Sequence, residues 1–173
     1  LITRALVECY VVTKDESLAR TTRETMDYLL REMRHPKGAF YSATDADSEG
    51  KEGKFFLWTV AELKQILGDA DGSLVAEVYN ATDPGNFEGS NILNRPLSME
   101  EAAARAGLQV EESEARLAAG RARLLELREN RIQPGRDDKI ITAWNGLMLA
   151  AFADAGRFLG REDYLDIAKR NAD

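Results

Sequence analysis

ECYVVTKDESLART, residues 8–21, holds two apolar helical stretches separated by three polar residues. Apolar positions that recur every three or four residues mark amphipathic helices. That spacing predicts helices over residues 1–12 and 16–34. Leu6, Cys9 and Tyr10 stripe the first, and Leu18, Thr22, Met26, Leu29, Leu30 and Met33 stripe the second. Thr13, Lys14 and Asp15 remain as the turn. The far end of the chain repeats the arrangement: GRFLGREDYLDIAK, residues 156–169, sets Arg161-Glu162-Asp163 against Lys14-Asp15-Glu16 at a shift of about 147 residues. Self-similarity of this kind marks an array of helical hairpins. The expected fold class is therefore mainly α, a helical-hairpin array, with the 173 residues as a single domain.

Between the two ends the pattern changes. Pro36 and Gly38 stop the second helix, and residues 39–44 and 54–58 read as short extended pieces around an acidic turn, a β-like excursion near 39–58. Thr59 followed by Glu62 makes a capping box for a helix from Val60 to Leu67, which Gly68 ends. A short helix is expected over 74–79, and TDPGNFEGSNIL, residues 82–93, is loop by its turn formers. Ser98 and Glu101 form a second capping box, closed by Gly107. An Arg- and Glu-laced helix follows over 111–131, then a break over 133–139, then helices over 141–159 and from 162 onward.

The acidic turn, DADSEG at residues 45–50, opens like a calcium loop. Such a loop needs an apolar eighth residue and a closing Glu at the twelfth. Those positions hold Glu52 and Phe56, so the cage cannot close. No metal site is expected; a weak hydrated cation site at 45–49 is the remaining alternative to a solvated turn.

Bulk composition narrows the function classes. Lys plus Arg is 23 against 30 acidic residues, a formal charge of −7, which disfavours nucleic-acid partners. No apolar run is long enough to span a membrane, and no signal-peptide pattern is present. The single cysteine, Cys9, cannot form an internal disulfide, so a reducing, cytoplasmic location is expected. The chain begins at Leu1 and ends within an amphipathic helix, as a piece of a longer protein would. Self-association through such exposed ends is a further expectation.

Four loop segments concentrate polar and aromatic residues: 38–58, 85–93, 136–146, and His35 beside Pro36. In a hairpin array, connections on one face can share a single mouth. Together, GAFYSATDADSEG, GKFFLW and DDKIITAWNGLMLAAFA resemble the large thioredoxin-domain-containing proteins of the spermatogenesis-associated type, a likeness that spans nearly the whole chain. It implies a thioredoxin-like domain elsewhere in the parent protein, a natural partner for this chain. It also implies that this chain supplies about three helical hairpins of an (α/α)6 toroid similar to N-acylglucosamine 2-epimerases and related glycosidases. A sugar-like small molecule is then the expected ligand, by likeness of fold. No cofactor is implied for this part of the chain.

Sugar chemistry needs two carboxyl groups facing each other across a ring. Asp45, Asp47, Glu49, Glu88 and Asp138 are the catalytic candidates, with Asp137 beside them. Aromatic faces and amides suit a sugar-binding wall, which points to Tyr41, Trp58, Phe87, Trp144 and Asn145. Each has a structural alternative. Trp144 precedes an apolar helix face and reads as core, and Asp137 and Asp138 suit the N-terminal dipole of the next helix. His35 at a helix end suits a capping cation better than a catalytic base, against the histidine bases of the similar epimerases. A noncatalytic scaffold that presents helical faces to a neighbouring domain is the rival reading of the whole chain.

Overall fold

The computed structural model describes residues 1–172. In chain order the elements are α1 (Ile2–Thr13), α2 (Glu16–Glu32), β1 (Ala43–Thr44), β2 (Asp47–Ser48), β3 (Lys51–Glu52), α3 (Val60–Leu67), α4 (Asp69–Val78), α5 (Met99–Ala106), α6 (Val110–Arg128), β4 (Arg136–Asp137), α7 (Thr142–Leu159) and α8 (Glu162–Ala172). The mainly α, helical-hairpin reading holds. The chain divides into two compact units, one made of Leu1–Asp45 and the segment from Arg136 onward, the other of Ala46–Gly135.

The first unit packs the hairpin α1–α2 with the hairpin α7–α8. Its core is aromatic at the centre. Phe152, fully buried, stacks on Phe40 at 5.2 Å and meets Tyr164 edge-on at 5.6 Å. Val7, Met26, Ala155 and Ile167 close around them. Burial pushes the Tyr164 phenol up, and its hydrogen bond to Asp27 Oδ1, at 2.6 Å, adds to that. Both hairpins turn through a left-handed residue, Lys14 (φ 60°) and Gly160 (φ 67°). Thr13 and Leu159 end the first helices, and Glu16 and Glu162 begin the second, so the repeat shift is 146 residues, one less than the sequence alignment suggested. The left-handed position, rather than the charged pattern, sets the register.

The buried line of α1 runs through Thr3 and Val7, four residues apart, which leaves Cys9 exposed rather than on the core stripe. Trp144 is likewise not core: it is 53% exposed, because α7 reaches the interior through Ala151, Phe152 and Ala155. Nor do Asp137 and Asp138 serve the α7 N-terminus, whose first turn holds no acid. Asp138 pairs with Arg136 at 2.7 Å, and Asp137 pairs with Lys139 at 2.9 Å. His35 does not cap a helix end either. α2 stops at Glu32, and His35 Nδ1 accepts a hydrogen bond from the Lys37 N–H at 3.1 Å.

The second unit begins with the β2–β3 hairpin and continues into four helices. Both predicted capping boxes form, at Thr59–Glu62 and Ser98–Glu101. α4 starts at Asp69, five residues before the expected helix, because α3 and α4 cross in close contact. A Cβ at Gly72 would lie 2.5 Å from Lys64 Cα, so only glycine permits that crossing. Leu63, Val75, Val78, Ala102 and Leu117 fill the core. Of the expected extended piece at 54–58, residues 54–56 are a turn instead and only Trp58 pairs, in a single bridge to Asn91. The strands lie inside the acidic turn itself, where Asp47 pairs with Glu52 and Ser48 with Lys51. β1 pairs with β4 in the first unit.

Each unit uses an asparagine as a substitute stretch of backbone. Asn145 Oδ1 accepts from the Phe40 N–H at 2.7 Å, while its Nδ2 donates to the Phe40 and Ile141 carbonyls. Asn91, 1% exposed, does the same in the second unit. Its Nδ2 donates to the Trp58 and Thr82 carbonyls, and its Oδ1 accepts from the Thr82 N–H at 2.9 Å. An Asn91→Ala variant strands these buried groups. It is expected to lose about 2–4 kcal/mol of stability in chemical denaturation; a loss under about 0.5 kcal/mol contradicts this role.

Two carboxyls at helix starts are held below their ordinary value of 3.8. The side-chain hydrogen bond to Ser17 lowers Asp15, and that from Arg161 lowers Asp163. A depressed folded value means stability present above the ordinary value and lost as pH falls through the lower folded value. Thermal melts are therefore expected to drop in acid below about pH 4. The slope should be shallower in Asp15→Asn and Asp163→Asn than in the parent; equal slopes contradict the assignment.

Candidate functional site

The feature that stands out in the second unit is a groove of about 540 Å³, within the range of roughly 300–1,000 Å³ typical of small-molecule sites. Its apolar lining comes from Phe55, Leu57 and Ile132. Its rim is polar, with Glu49, Lys51, Glu52, Lys54, Glu62, Glu88, Ser90, Asn130 and Arg131.

Glu49 and Glu88 reach this rim from matching local structures. Ser48-Glu49-Gly50-Lys51 and Phe87-Glu88-Gly89-Ser90 are both two-residue hairpin turns in which both central residues have positive φ. The angles are 54° and 72° in the first turn, 47° and 80° in the second. Type I′ turns demand this, and they favour Asn, Asp or Gly at the first central position. Glutamate there is held in a conformation that costs an L-residue about 1–2 kcal/mol. In the second turn the Phe87 and Ser90 backbones exchange two hydrogen bonds, at 3.0 and 2.9 Å. Asn86 ties the base of that loop to Ile92 through both its side-chain atoms.

The wall of the groove is held by Arg131. One guanidinium nitrogen donates to the carbonyls of Phe55 at 3.0 Å and Leu57 at 2.7 Å, and the other lies 3.8 Å from Glu62. The guanidinium sits 3.9 Å above the Trp58 ring. Partial burial lowers its pKa from the usual arginine value. Arg128 covers Phe55 and Phe56 from the same helix end, at 5.2 and 5.4 Å.

The sequence-predicted residues fall into two groups. Asp47, Glu49, Trp58, Phe87 and Glu88 lie in the second unit, and of these only Glu49 and Glu88 line the groove. Trp58 is buried beneath Arg131, and Phe87 is half-buried in its hairpin. Tyr41, Asp45, Asp138, Trp144 and Asn145 belong to the first unit. There Arg136 covers the Tyr41 ring at 4.0 Å, Asp138 is ion-paired, and Asn145 has spent its amide on backbone. Among the described residues no three His, Cys, Asp or Glu side chains converge to hold a metal ion, and the acidic turn is a hairpin. Arg131, Lys54 and Asn91 are the residues the sequence reading missed. The repeated Glu-Gly dipeptide, at 49–50 and 88–89, was the visible signal.

A second groove, of about 630 Å³, lies along α4, α5 and α6 in the same unit. It is larger, but its charged groups are already ion-paired: Arg105 with Glu77, and Arg116 with Asp71 and Glu112. By contrast, Glu88 has no ion-pair or side-chain hydrogen-bond partner among the described residues, which favours the first groove as the ligand site.

Curated relatives align with almost the whole chain. It is 32% identical to human spermatogenesis-associated protein 20 over 97% of its own length, and 33% identical to the Rattus norvegicus protein of that name over 95%. The chain is homologous to one quarter of spermatogenesis-associated protein 20. An uncharacterized Caenorhabditis elegans protein is 28% identical over 92% of the chain. In each case the chain spans about a quarter of the relative's length. No family model matches it. Among the described residues, no helix is long and apolar enough to cross a membrane.

Replacing Arg131 with Lys removes a fork that meets several acceptors at once, which an ammonium on a flexible stem cannot reproduce. Arg131→Lys is expected to lower stability by about 1–3 kcal/mol. It should also speed amide exchange across residues 54–58. Unchanged exchange there contradicts the bracing role.

Proposed function

We propose that the groove of the second unit binds a sugar-like small molecule, with Glu49 and Glu88 as the carboxylates that grip its hydroxyls. The supporting observation is the paired Glu-Gly hairpin. Two glutamates stand in left-handed positions, and both face one groove. Strain of this type is retained where it serves a site. Hydroxyl donors suit carboxylate acceptors, and the apolar face of a sugar ring suits the wall of Phe55, Leu57 and Ile132. The chemistry that two carboxylates offer a bound sugar is proton transfer and stabilisation of positive charge, as in epimerases and glycosidases. A cytoplasmic location and a thioredoxin-like domain as partner belong to this same proposal.

The scaffold reading has its own observation. Ile140, Trp144 and Leu147 stand 46%, 53% and 43% exposed at and near the start of α7. A face of this kind suits contact with another protein surface. The two readings separate in one variant. Glu88→Asn replaces a strained residue by one suited to a type I′ turn. It is expected to raise stability by up to about 1 kcal/mol and to abolish saccharide binding measured by calorimetric titration. Retained binding, or a loss of stability, contradicts the site reading.

A further inference from the structure

We infer that the groove selects ligands bearing a positive charge, amino sugars over neutral sugars and neutral sugars over uronates or sugar phosphates. This rests on the sugar-groove reading and goes beyond it by assigning the charge of the ligand. The rim carries four carboxylates, Glu49, Glu52, Glu62 and Glu88, and three cations, Lys51, Lys54 and Arg131. Two of the cations are engaged. Lys54 Nζ lies 2.7 Å from Glu49, and Arg131 is shared among the Phe55 and Leu57 carbonyls and Glu62. Among the described residues, Glu52, Glu88 and Lys51 are left without ion-pair partners, so the uncommitted charge at the rim is net negative.

An anionic ligand entering the groove would find one uncommitted cation, Lys51, and two uncommitted carboxylates. It could recruit Lys54 or Arg131 only by breaking a contact that already exists. Breaking the Arg131 contacts would also release the carbonyls of the groove wall. An ammonium group, in contrast, meets Glu88 without displacing anything. The formal charge of −7 over the chain acts in the same direction at longer range, favouring the approach of cations. Because the rim is open to water, each charge contributes modestly and is screened by salt.

The test is calorimetric titration of the full chain with glucosamine, glucose, glucuronate and glucose 6-phosphate, at low and high salt. Glucosamine is expected to bind about five- to tenfold more tightly than glucose at low salt. The acidic sugars should bind more weakly than glucose, and the spread should collapse near 1 M salt. Glu88→Gln should remove most of the glucosamine preference, and Glu88→Lys should invert the order; circular dichroism checks that both variants are folded. If the four sugars bind with equal affinity, or the acidic ones bind best, the charge inference fails and the sugar groove stands. If spermidine binds as well as glucosamine and competes with it, while glucose does not bind, the charge inference stands and the sugar groove fails. If none of these ligands binds, both fail.

Discussion

Arg131 is the contact on which the groove depends. A guanidinium offers five donors in a rigid fork, and here one of its nitrogens meets the Phe55 and Leu57 carbonyls while the planar face covers Trp58. Residues 54–57 have no strand or helix ladder of their own to satisfy their carbonyls. Without the arginine, Phe55 and Leu57 would lose the brace that makes them a wall. The position just past the end of α6 lets one residue tie the longest helix of the unit to the loop that opens the site.

Asn91 supports the same construction through Trp58. By exchanging main-chain hydrogen bonds with Trp58 and clasping Thr82 with its amide, it joins the loop after the β2–β3 hairpin to the loop that carries Glu88. Each Glu-Gly turn is closed by its own paired backbone, β2 with β3 for Glu49 and Phe87 with Ser90 for Glu88, and a strained tip is tolerable on a hydrogen-bonded base. The first unit solves a similar problem with Asn145, whose amide pins Phe40 so that its ring can stack on Phe152.

Much of this was legible in the residues. Apolar spacing located the helices to within a few positions, and the Thr59–Glu62 and Ser98–Glu101 pairs placed two helix starts correctly, because capping is a local interaction. What depends on contacts distant in sequence was not legible. The exposure of Trp144 follows from which side of α7 meets the aromatic cluster, and Asn145 was spent on a partner 105 positions away. Trp58 and Tyr41 looked like sugar-stacking rings, yet each has an arginine on its face. Only Glu49 and Glu88, of the proposed residues, line the groove, and the turn geometry they share shows only in the backbone angles.

The most direct test of the central claim is to map amide chemical shifts of the isotope-labelled chain during titration with a saccharide that binds. The account predicts that perturbations gather at residues 49–55, 88–90 and 130–132, the lining of one groove. Perturbations confined to residues 140–148 on α7, with the Glu49 and Glu88 turns silent, would contradict it.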